Sequence, residues 1–186
     1  MKLGAYYYDG WYEYRGNWTR RLLEEFDCRQ PVWGWLGNSV ENMEKQIDYA
    51  HNGGLAFWAF DWYYPEGGGE ERGNNRAIDR YLASRNASLL EFCLLVCNHH
   101  GAQIYYETWK DACSRWMLFL TNEHALKIDG KPVITFSRQA VLSITWAAEK
   151  KHTNALTICV KNVLKPDFPA ALSWAVRADY AMRPAR

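Results

Sequence analysis

The chain has 186 residues, which is the usual size of one domain and long enough to bury a hydrophobic core. Its 22 Lys and Arg residues nearly balance 21 Asp and Glu residues, so it lacks the basic excess of a nucleic-acid-binding protein, and we expect no nucleic-acid partner. Hydrophobic residues make up 48% of the sequence, which argues against disorder, and no run of about 18 uncharged apolar residues predicts a membrane span.

Strand and helix patterns alternate along the chain. In chain order we predict a strand at 3–8, a helix at 40–50, a strand at 55–60, a helix at 77–82, a strand at 92–97, a helix at 109–120, a strand at 132–136, a helix at 141–150, a strand at 155–160 and a helix at 168–176. The strands are continuous apolar runs, as in parallel sheets with both faces buried. Asn38 with Glu41 is expected to cap the first helix. The alternation predicts βαβ units and therefore an α/β fold.

Two loops have informative sequences. Residues 64–76 form a Gly-rich polar loop directly after the second strand, where α/β proteins bind ligands. Its GGGEER stretch lacks the Lys and the Ser or Thr of a phosphate-binding loop, which argues against nucleotide binding. Asp129 and Gly130 predict a tight turn just before the fourth strand.

Aromatic residues are unusually frequent, with 10 Trp, 12 Tyr and 7 Phe. An aromatic ring offers a flat surface to the C–H face of a sugar, so rings and carboxylates at strand ends are typical of a glycan-binding cleft. The candidate sugar-binding residues, all close behind the first three strands, are Tyr8, Trp11, Trp62, Tyr63, Asn98 and His99. The alternative is that the rings belong to the core, which we favour for rings inside strands, such as Trp58 and Phe60.

Asp9 and Asp61 are the main candidate catalytic residues. They follow successive strands, and neighbouring strands lie about 5 Å apart, which gives two carboxyl groups a separation suited to glycoside hydrolysis. Such hydrolysis uses one carboxyl group as the acid and the other as base or nucleophile. His100 is a third candidate, because histidine can donate or accept a proton near neutral pH. The alternative for either aspartate is a helix cap or an ion pair in a loop.

The sequence does not indicate metal or cofactor chemistry. Cys93, Cys97 and His99 share one face of a strand, but the two cysteines lie about 13 Å apart along an extended strand, too far to hold one zinc ion. We therefore predict no metal and no cofactor. The five cysteines are an odd number, and the first residues lack the apolar segment of a secretory signal, so we expect reduced thiols in the cytoplasm.

A resemblance to a known family rests on four segments that occur in order: GAYYYDGWY, QIDYAHNGGLAFWAFDWYY, LLEFCLLVCNHH and HALKIDGKPVITF. The chain resembles the glycoside hydrolase family 99-like proteins, also called the WbsX-type glycosyltransferase family, most strongly over residues 3–137. The resemblance implies a (β/α)8 barrel that acts on α-linked glycans such as bacterial surface polysaccharides. Relatives commonly carry a carboxylate where this chain has Asn98-His99-His100, so that acid is missing here.

Length limits the fold that the resemblance implies. A complete barrel takes about 250 residues, so we expect residues 1–186 to form one domain, a partial (β/α)8 TIM-like barrel with about five parallel strands and intervening helices. The edge strands of a partial barrel are open to pairing, which predicts self-association. The functional hypothesis is a glycoside hydrolase or glycosyltransferase with a glycan substrate. The alternatives are a non-catalytic glycan-binding module and an inactive fragment of such an enzyme.

Overall fold

A computed structural model of the chain describes residues 2–11, 19–35, 39–65 and 72–137. The strands are β1 (Gly4–Tyr7), β2 (Phe57–Trp62), β3 (Glu91–Val96), β4 (Lys127–Ile128), β5 (Lys131–Pro132) and β6 (Ile134–Phe136). The helices are α1 (Arg20–Glu25), α2 (Val40–Asn52), α3 (Ala77–Ala83) and α4 (Trp109–Leu120), and short 3-10 turns lie at Asp27–Arg29, Gly73–Arg76 and Ala87–Leu89. The predicted strand at 155–160 and the helices at 141–150 and 168–176 lie outside the described residues.

The main sheet has four parallel strands in the order β1-β2-β3-β6. The prediction of an α/β fold with a parallel sheet is confirmed at this level, and the described residues do not form a complete barrel. β4 and β5 pair as a separate antiparallel hairpin. Its turn residues Asp129 and Gly130 both have positive φ, 51° and 74°, as a two-residue hairpin turn requires.

One face of the sheet carries the main core. Trp58, Phe60 and Trp62 of β2 point to this face and are at most 5% exposed, and the residues between them point to the other face. The three aromatic side chains pack with β3 and with apolar residues of α2, α3 and α4 in one cluster. We call this side the helix face. A smaller apolar cluster of Ala59, Cys93 and Leu126 lies on the other side, which we call the opposite face.

β2 runs two residues further along the chain than the sequence predicted. The apolar run at 55–60 indicated a strand end before Asp61, whereas the strand spans Phe57–Trp62. The reason is the ladder to β3, in which Asp61 pairs with Leu95 and Trp62 with Val96. Because successive strand residues point to opposite sides, Asp61 faces away from the core that buries Trp62.

The N-terminus of α2 is capped by Ser39, one residue later than the predicted Asn38. The Oγ atom of Ser39 accepts a hydrogen bond from the backbone N–H of Asn42 at 3.1 Å. The helix then buries Met43 and Ile47 against the sheet, as the sequence pattern indicated. No helix in the described part of the chain is long and apolar enough to cross a membrane.

Replacing Ser39 by alanine is expected to lower the free energy of unfolding by about 1 kcal/mol, because an N–H at the start of α2 loses its acceptor. Urea unfolding followed by circular dichroism measures the change. Ser114→Ala is the matched control, since Ser114 lies exposed inside α4 and its hydroxyl donates to the carbonyl of Lys110 rather than capping the helix. Equal losses in both variants contradict the cap assignment.

Candidate functional site

The carboxyl ends of β2, β3 and β6 bring polar side chains together on the opposite face. Asp61, Leu95 and Thr135 stand side by side in the register of the three strands. Beyond them lie Cys97, which follows β3, and Ser137, which follows β6. The same face is apolar nearer the amino ends, where Ala59, Cys93 and Leu126 pack together. The polar end of this face is therefore the place to look for chemistry.

Four of the predicted site residues form one group, which we call the rim cluster: Tyr8, Asp61, Tyr63 and His99. The ring centroids of Tyr8 and Tyr63 lie 6.4 Å apart with an interplanar angle of 70°. Those of Tyr63 and His99 lie 5.5 Å apart at 72°. The hydroxyl of Tyr63 donates a long hydrogen bond of 3.4 Å to Oδ2 of Asp61. The rim cluster thus consists of the carboxyl group of Asp61, the phenol of Tyr63 that donates to it, and two rings that pack edge-to-face with the ring of Tyr63.

Asp61 is half-buried and only partly satisfied. Burial raises the pKa of its carboxyl group, and the hydrogen bond from Tyr63 offsets only part of that rise. Its Oδ1 atom is buried and makes no hydrogen bond with the residues that the structure describes. Burial likewise raises the pKa of Tyr63, so its phenol keeps its proton and acts as a donor to Asp61. The pair is suited to holding or releasing one proton.

Asn75 fixes the position of Tyr63. Its Oδ1 accepts the backbone N–H of Tyr63 at 2.9 Å, and its Nδ2 donates to the backbone carbonyl of the same residue at 2.8 Å. Asn75 is 3% exposed and sits in the 3-10 turn Gly73–Arg76. Its side chain therefore supplies the donor and the acceptor that a neighbouring strand would supply to the backbone of Tyr63. No motif in the sequence marks Asn75, because the two residues are twelve positions apart and the contact is to backbone.

Replacing Asn75 by alanine is expected to lower the free energy of unfolding by roughly 1–3 kcal/mol, since both backbone groups of Tyr63 lose their partner. Chemical denaturation of the purified chain measures this loss. Asn74→Ala is the control, because it removes the same side chain from the neighbouring position of the same turn, while both hydrogen bonds to the backbone of Tyr63 come from Asn75. The role of Asn75 is refuted by a variant as stable as the control.

Asp9 does not join the rim cluster. It is 6% exposed and forms an ion pair with Arg80 of α3, on the helix side of the sheet. It also accepts a hydrogen bond from the backbone of Trp11. Burial raises the pKa of Asp9, while the Arg80 guanidinium acts to lower it. Of the two interpretations from the sequence, the ion pair is the one the structure supports, and the predicted two-carboxylate cleft of Asp9 and Asp61 is not formed.

Two further predicted binding residues are buried. Trp62 is 1% exposed and packs edge-on against Trp116 at 5.6 Å on the helix face. Asn98 is fully buried, and its Oδ1 accepts the backbone N–H of Ile104 at 2.9 Å, which shapes the loop after β3. The structure therefore corrects the positions predicted for both residues. Neither side chain lies at the surface of the opposite face.

The remaining predicted residues lie near the surface. Trp11 follows Asp9 and is 40% exposed. His100 is exposed, and its backbone carbonyl lies 2.9 Å from Nδ1 of His99, which orients the His99 ring. Of the two histidines, His99 rather than His100 contacts the rim cluster.

Cys97 and Ser137 also lie beside the rim cluster, although neither was among the predicted catalytic or binding residues. The Cys97 thiol interacts with the hydroxyls of Tyr63 and Ser137, and burial together with the charge of Asp61 raises the pKa of this thiol. The sequence did indicate that Cys97 and His99 share one face of a strand. That observation was used only to consider a metal site. Among the residues that the structure describes, no three His, Cys, Asp or Glu side chains are grouped to hold a metal ion.

Comparison of the chain with protein-family models, curated proteins and solved structures finds no significant match. The chemistry of the rim cluster therefore has to be inferred from its own geometry. What this geometry offers is a partly buried acid with a raised pKa, a phenol that donates to it, and two further rings that contact the ring of that phenol.

Proposed function

We propose that this protein is carbohydrate-active and holds a glycan against the rim cluster, where Asp61 donates a proton to a glycosidic oxygen. The observation that carries the proposal is Asp61 itself. It stands at the carboxyl end of a parallel strand, burial raises its pKa, and the hydroxyl of Tyr63, whose ring contacts that of Tyr8, donates to it. A raised pKa keeps a carboxyl group protonated closer to neutral pH, which a general acid requires.

The wider fold agrees with a barrel-type arrangement, which we include in the proposal. The strands follow one another in sequence order, and α2, α3 and α4 all pack on one face. Right-handed crossovers produce that winding in (β/α)8 proteins, whose ligands bind at the carboxyl ends of the strands. We further propose, following the sequence resemblance, that the chain is a partial barrel of the glycoside hydrolase family 99-like type. Its β1 and β6 edges are the proposed surfaces for self-association.

The proposed chemistry is the transfer of one glycosyl group. The protonated Asp61 carboxyl gives its proton to the oxygen that links two sugars as the bond from that oxygen to the anomeric carbon breaks. Water, or the hydroxyl of another sugar, then adds to the anomeric carbon and gives up a proton, which returns the carboxyl group to its starting state. Water as acceptor makes the protein a hydrolase, and a sugar hydroxyl makes it a transferase.

A glycan-binding module without turnover is the second candidate, and the ion pair between Asp9 and Arg80 favours it. Glycoside hydrolysis normally uses two carboxyl groups facing the same bond. In the described part of the opposite face, Asp61 is the carboxylate at the carboxyl end, because Asp9 is held by Arg80 on the helix side. Aromatic rings and a single carboxyl group suffice to bind a sugar.

The test separates the two candidates. The purified chain is incubated with α-linked mannans and rhamnans, reducing-sugar release is measured, and binding of the same glycans is followed by isothermal titration calorimetry. Release above that of a heat-denatured control supports a hydrolase, and elongation of labelled acceptor glycans supports a transferase. Binding without release supports the module. Neither binding nor release across a broad glycan panel overturns the proposal.

A further inference from the structure

The opposite face of the sheet is only partly covered by the described residues. Tyr6 of β1 points to this face, because it stands in register with Ala59, and it is 77% exposed. Phe57, Leu95 and Val133 lie half-buried on the same face. Sheets of parallel strands are normally covered on both faces. The apolar side chains of this face therefore favour a partner surface over solvent.

Both edges of the sheet are open within the described part of the chain. There β1 pairs only with β2, and β6 pairs only with β3. An unpaired edge strand is a template for pairing with another chain. All four strands run in the same direction, so the β1 edge of one copy can pair with the β6 edge of a second copy as a further parallel strand. A twofold axis along the strands then makes the same pairing a second time, between β6 and the partner's β1.

We propose that two copies of this chain form one (β/α)8 barrel, with β1 of each copy paired to β6 of the other, and that Asp61 and the partner's Asp61 act together on one glycan. This inference rests on the proposed function and names its partner and its second carboxyl group. Four strands from each copy give the eight of such a barrel, with the opposite faces inside. The sequence of residues 138–186 predicts one strand, at 155–160, whereas closure needs four more.

The twofold axis places the two copies of Asp61 across the barrel from each other. Asp61 points to the opposite face at the carboxyl end of β2, and the partner's Asp61 stands at the same height, half-way round the ring. Eight strands about 4.8 Å apart and tilted by about 36° form a ring roughly 15 Å across between Cα atoms. Each carboxyl group reaches about 3 Å inward from its Cα atom, which leaves about 9 Å between the two groups. Inverting glycosidases place their two carboxyl groups about 6.5–9.5 Å apart.

The shared site divides the proposed chemistry between two identical residues. The protonated Asp61 gives its proton to the glycosidic oxygen as the bond from that oxygen to the anomeric carbon breaks. The ionised carboxylate of the partner's Asp61 takes a proton from the water that forms the new bond to this carbon. Two carboxyl groups that face one another hold one proton more readily than none, so one acid and one base are present together. After the step they have exchanged protonation states, and the symmetric site is ready for the next glycan.

The mass of the purified chain in solution tests the two-copy barrel. Sedimentation equilibrium is expected to give twice the mass of one chain. Tyr6→Glu is expected to give the mass of one chain, because it puts a charge into the closed interior. Tyr49→Glu is the matched control, since Tyr49 is 69% exposed on α2, on the outside of the barrel, and this variant is expected to remain a dimer. Circular dichroism checks that both variants are folded.

Crosslinking at position 61 tests the shared site without glycan activity. Asp61→Cys is made in a Cys28→Ser background, because Cys28 is exposed and the other described cysteines are buried. A short bismaleimide is expected to join the two copies into a covalent dimer on a denaturing gel. The Cys28→Ser chain alone, and Tyr49→Cys in the same background, are the controls and are expected to remain single chains.

Mixing two kinds of chain tests whether the two carboxyl groups act together. The wild-type chain exchanges subunits with an Asp61→Asn chain, and hybrid dimers lack one carboxyl group. By mass action, an equal amount of the variant is expected to lower reducing-sugar release per wild-type chain about twofold, and a ninefold excess about tenfold. An Asp129→Asn chain is the control and is expected to leave release unchanged.

The outcomes distinguish this inference from the function on which it rests. A monomer at every concentration assigns the cover of the opposite face to residues 138–186 and overturns the inference, as does a dimer that survives Tyr6→Glu or does not crosslink at position 61. Release per wild-type chain that the Asp61 variant leaves unchanged overturns the shared site. All three results leave the glycan function in place. A crosslinked dimer that neither binds nor cleaves glycans overturns the proposed function and supports the two-copy barrel.

Discussion

Replacing Asp61 by asparagine is expected to lower glycan cleavage by about 10²–10⁴-fold, the usual contribution of a positioned general acid. The amide has the size of the carboxyl group and still accepts the hydrogen bond from Tyr63, but it cannot deliver a proton to a glycosidic oxygen. Reducing-sugar release at saturating glycan measures the change. If the protein only binds glycans, the same variant has no release to lose and instead weakens binding.

The same substitution is expected to stabilise the folded chain at neutral pH. Burial raises the pKa of Asp61 in the folded state, so the folded chain binds a proton at this carboxyl group more strongly than the unfolded chain does. Stability therefore falls as pH rises from the unfolded pKa, near 3.8, through the folded value, and the penalty is complete at pH 7. Asparagine has no such penalty. Urea unfolding at pH 7 and pH 3 measures the gain, which is expected at pH 7 and absent at pH 3.

The matched control is Asp129→Asn, which makes the same chemical change in the exposed β4–β5 turn. It is expected to leave release and its pH dependence unchanged. Two results contradict the assignment of Asp61: full release by the Asp61 variant, or a loss of release in the control as large as that in the variant. A variant that loses both release and stability indicates a structural role for Asp61. A general acid whose ionised form is destabilised by burial is expected to make the protein more stable at pH 7 when it is replaced.

The positions of the parallel strands along the chain were largely predictable from the sequence, because a parallel strand with both faces buried needs a continuous apolar run. The runs at 3–8, 92–97 and 132–136 overlap β1, β3 and β6 closely. α1 was not predicted, since its six residues bury no side chain and so carry no apolar stripe. Its N-cap is the Thr19 hydroxyl, a local signal too weak to define a helix alone.

The faces of the site residues were harder to predict than the strands. The apolar run placed the end of β2 before Asp61, whereas the ladder to β3 continues through Trp62. Within a strand, neighbouring residues must point to opposite sides, so Asp61 and Trp62 could not both line one cleft. Tyr8 and Asp9, which follow β1, also lie on different sides, because Tyr8 contacts the ring of Tyr63 and Asp9 pairs with Arg80 of α3. The two additional residues at the end of β2 therefore place Asp61 and Trp62, which were predicted to share one site, on opposite faces of the sheet.

Side-chain partners that are distant in the sequence could not be predicted from local sequence patterns. Arg80 is 71 positions from Asp9, and neither residue stands in a motif that connects them. The sequence analysis did consider an ion pair for Asp9. It could not identify Arg80 as the partner, because that contact depends on how α3 packs against the sheet. Asn75 is a similar case, because its contacts are to the backbone of Tyr63.

Removing either partner of the ion pair between Asp9 and Arg80 alone is expected to lower the free energy of unfolding strongly. Both side chains are largely buried, with 6% and 14% of their surface exposed. Asp9→Asn leaves the Arg80 charge without its counterion, and Arg80→Met leaves Asp9 in the same state, so each is expected to cost about 3–5 kcal/mol of unfolding free energy. The double variant is expected to lose less than the sum of the two, because neither charge is then left unpaired.

A double-mutant cycle by urea unfolding at pH 7 measures the coupling, with Arg20→Met as control. Arg20 pairs with Glu24 on the exposed surface of α1, where such a pair contributes little. The pH adds a second check. Without Arg80, the pKa of Asp9 rises further, so the deficit of Arg80→Met is expected to be full at pH 7 and to shrink as pH falls toward 4 and Asp9 is protonated. Additive losses with no pH dependence refute the pair. Coupled losses, with glycan binding intact in the folded fraction, assign Asp9 to the scaffold and leave Asp61 as the acid of the rim cluster.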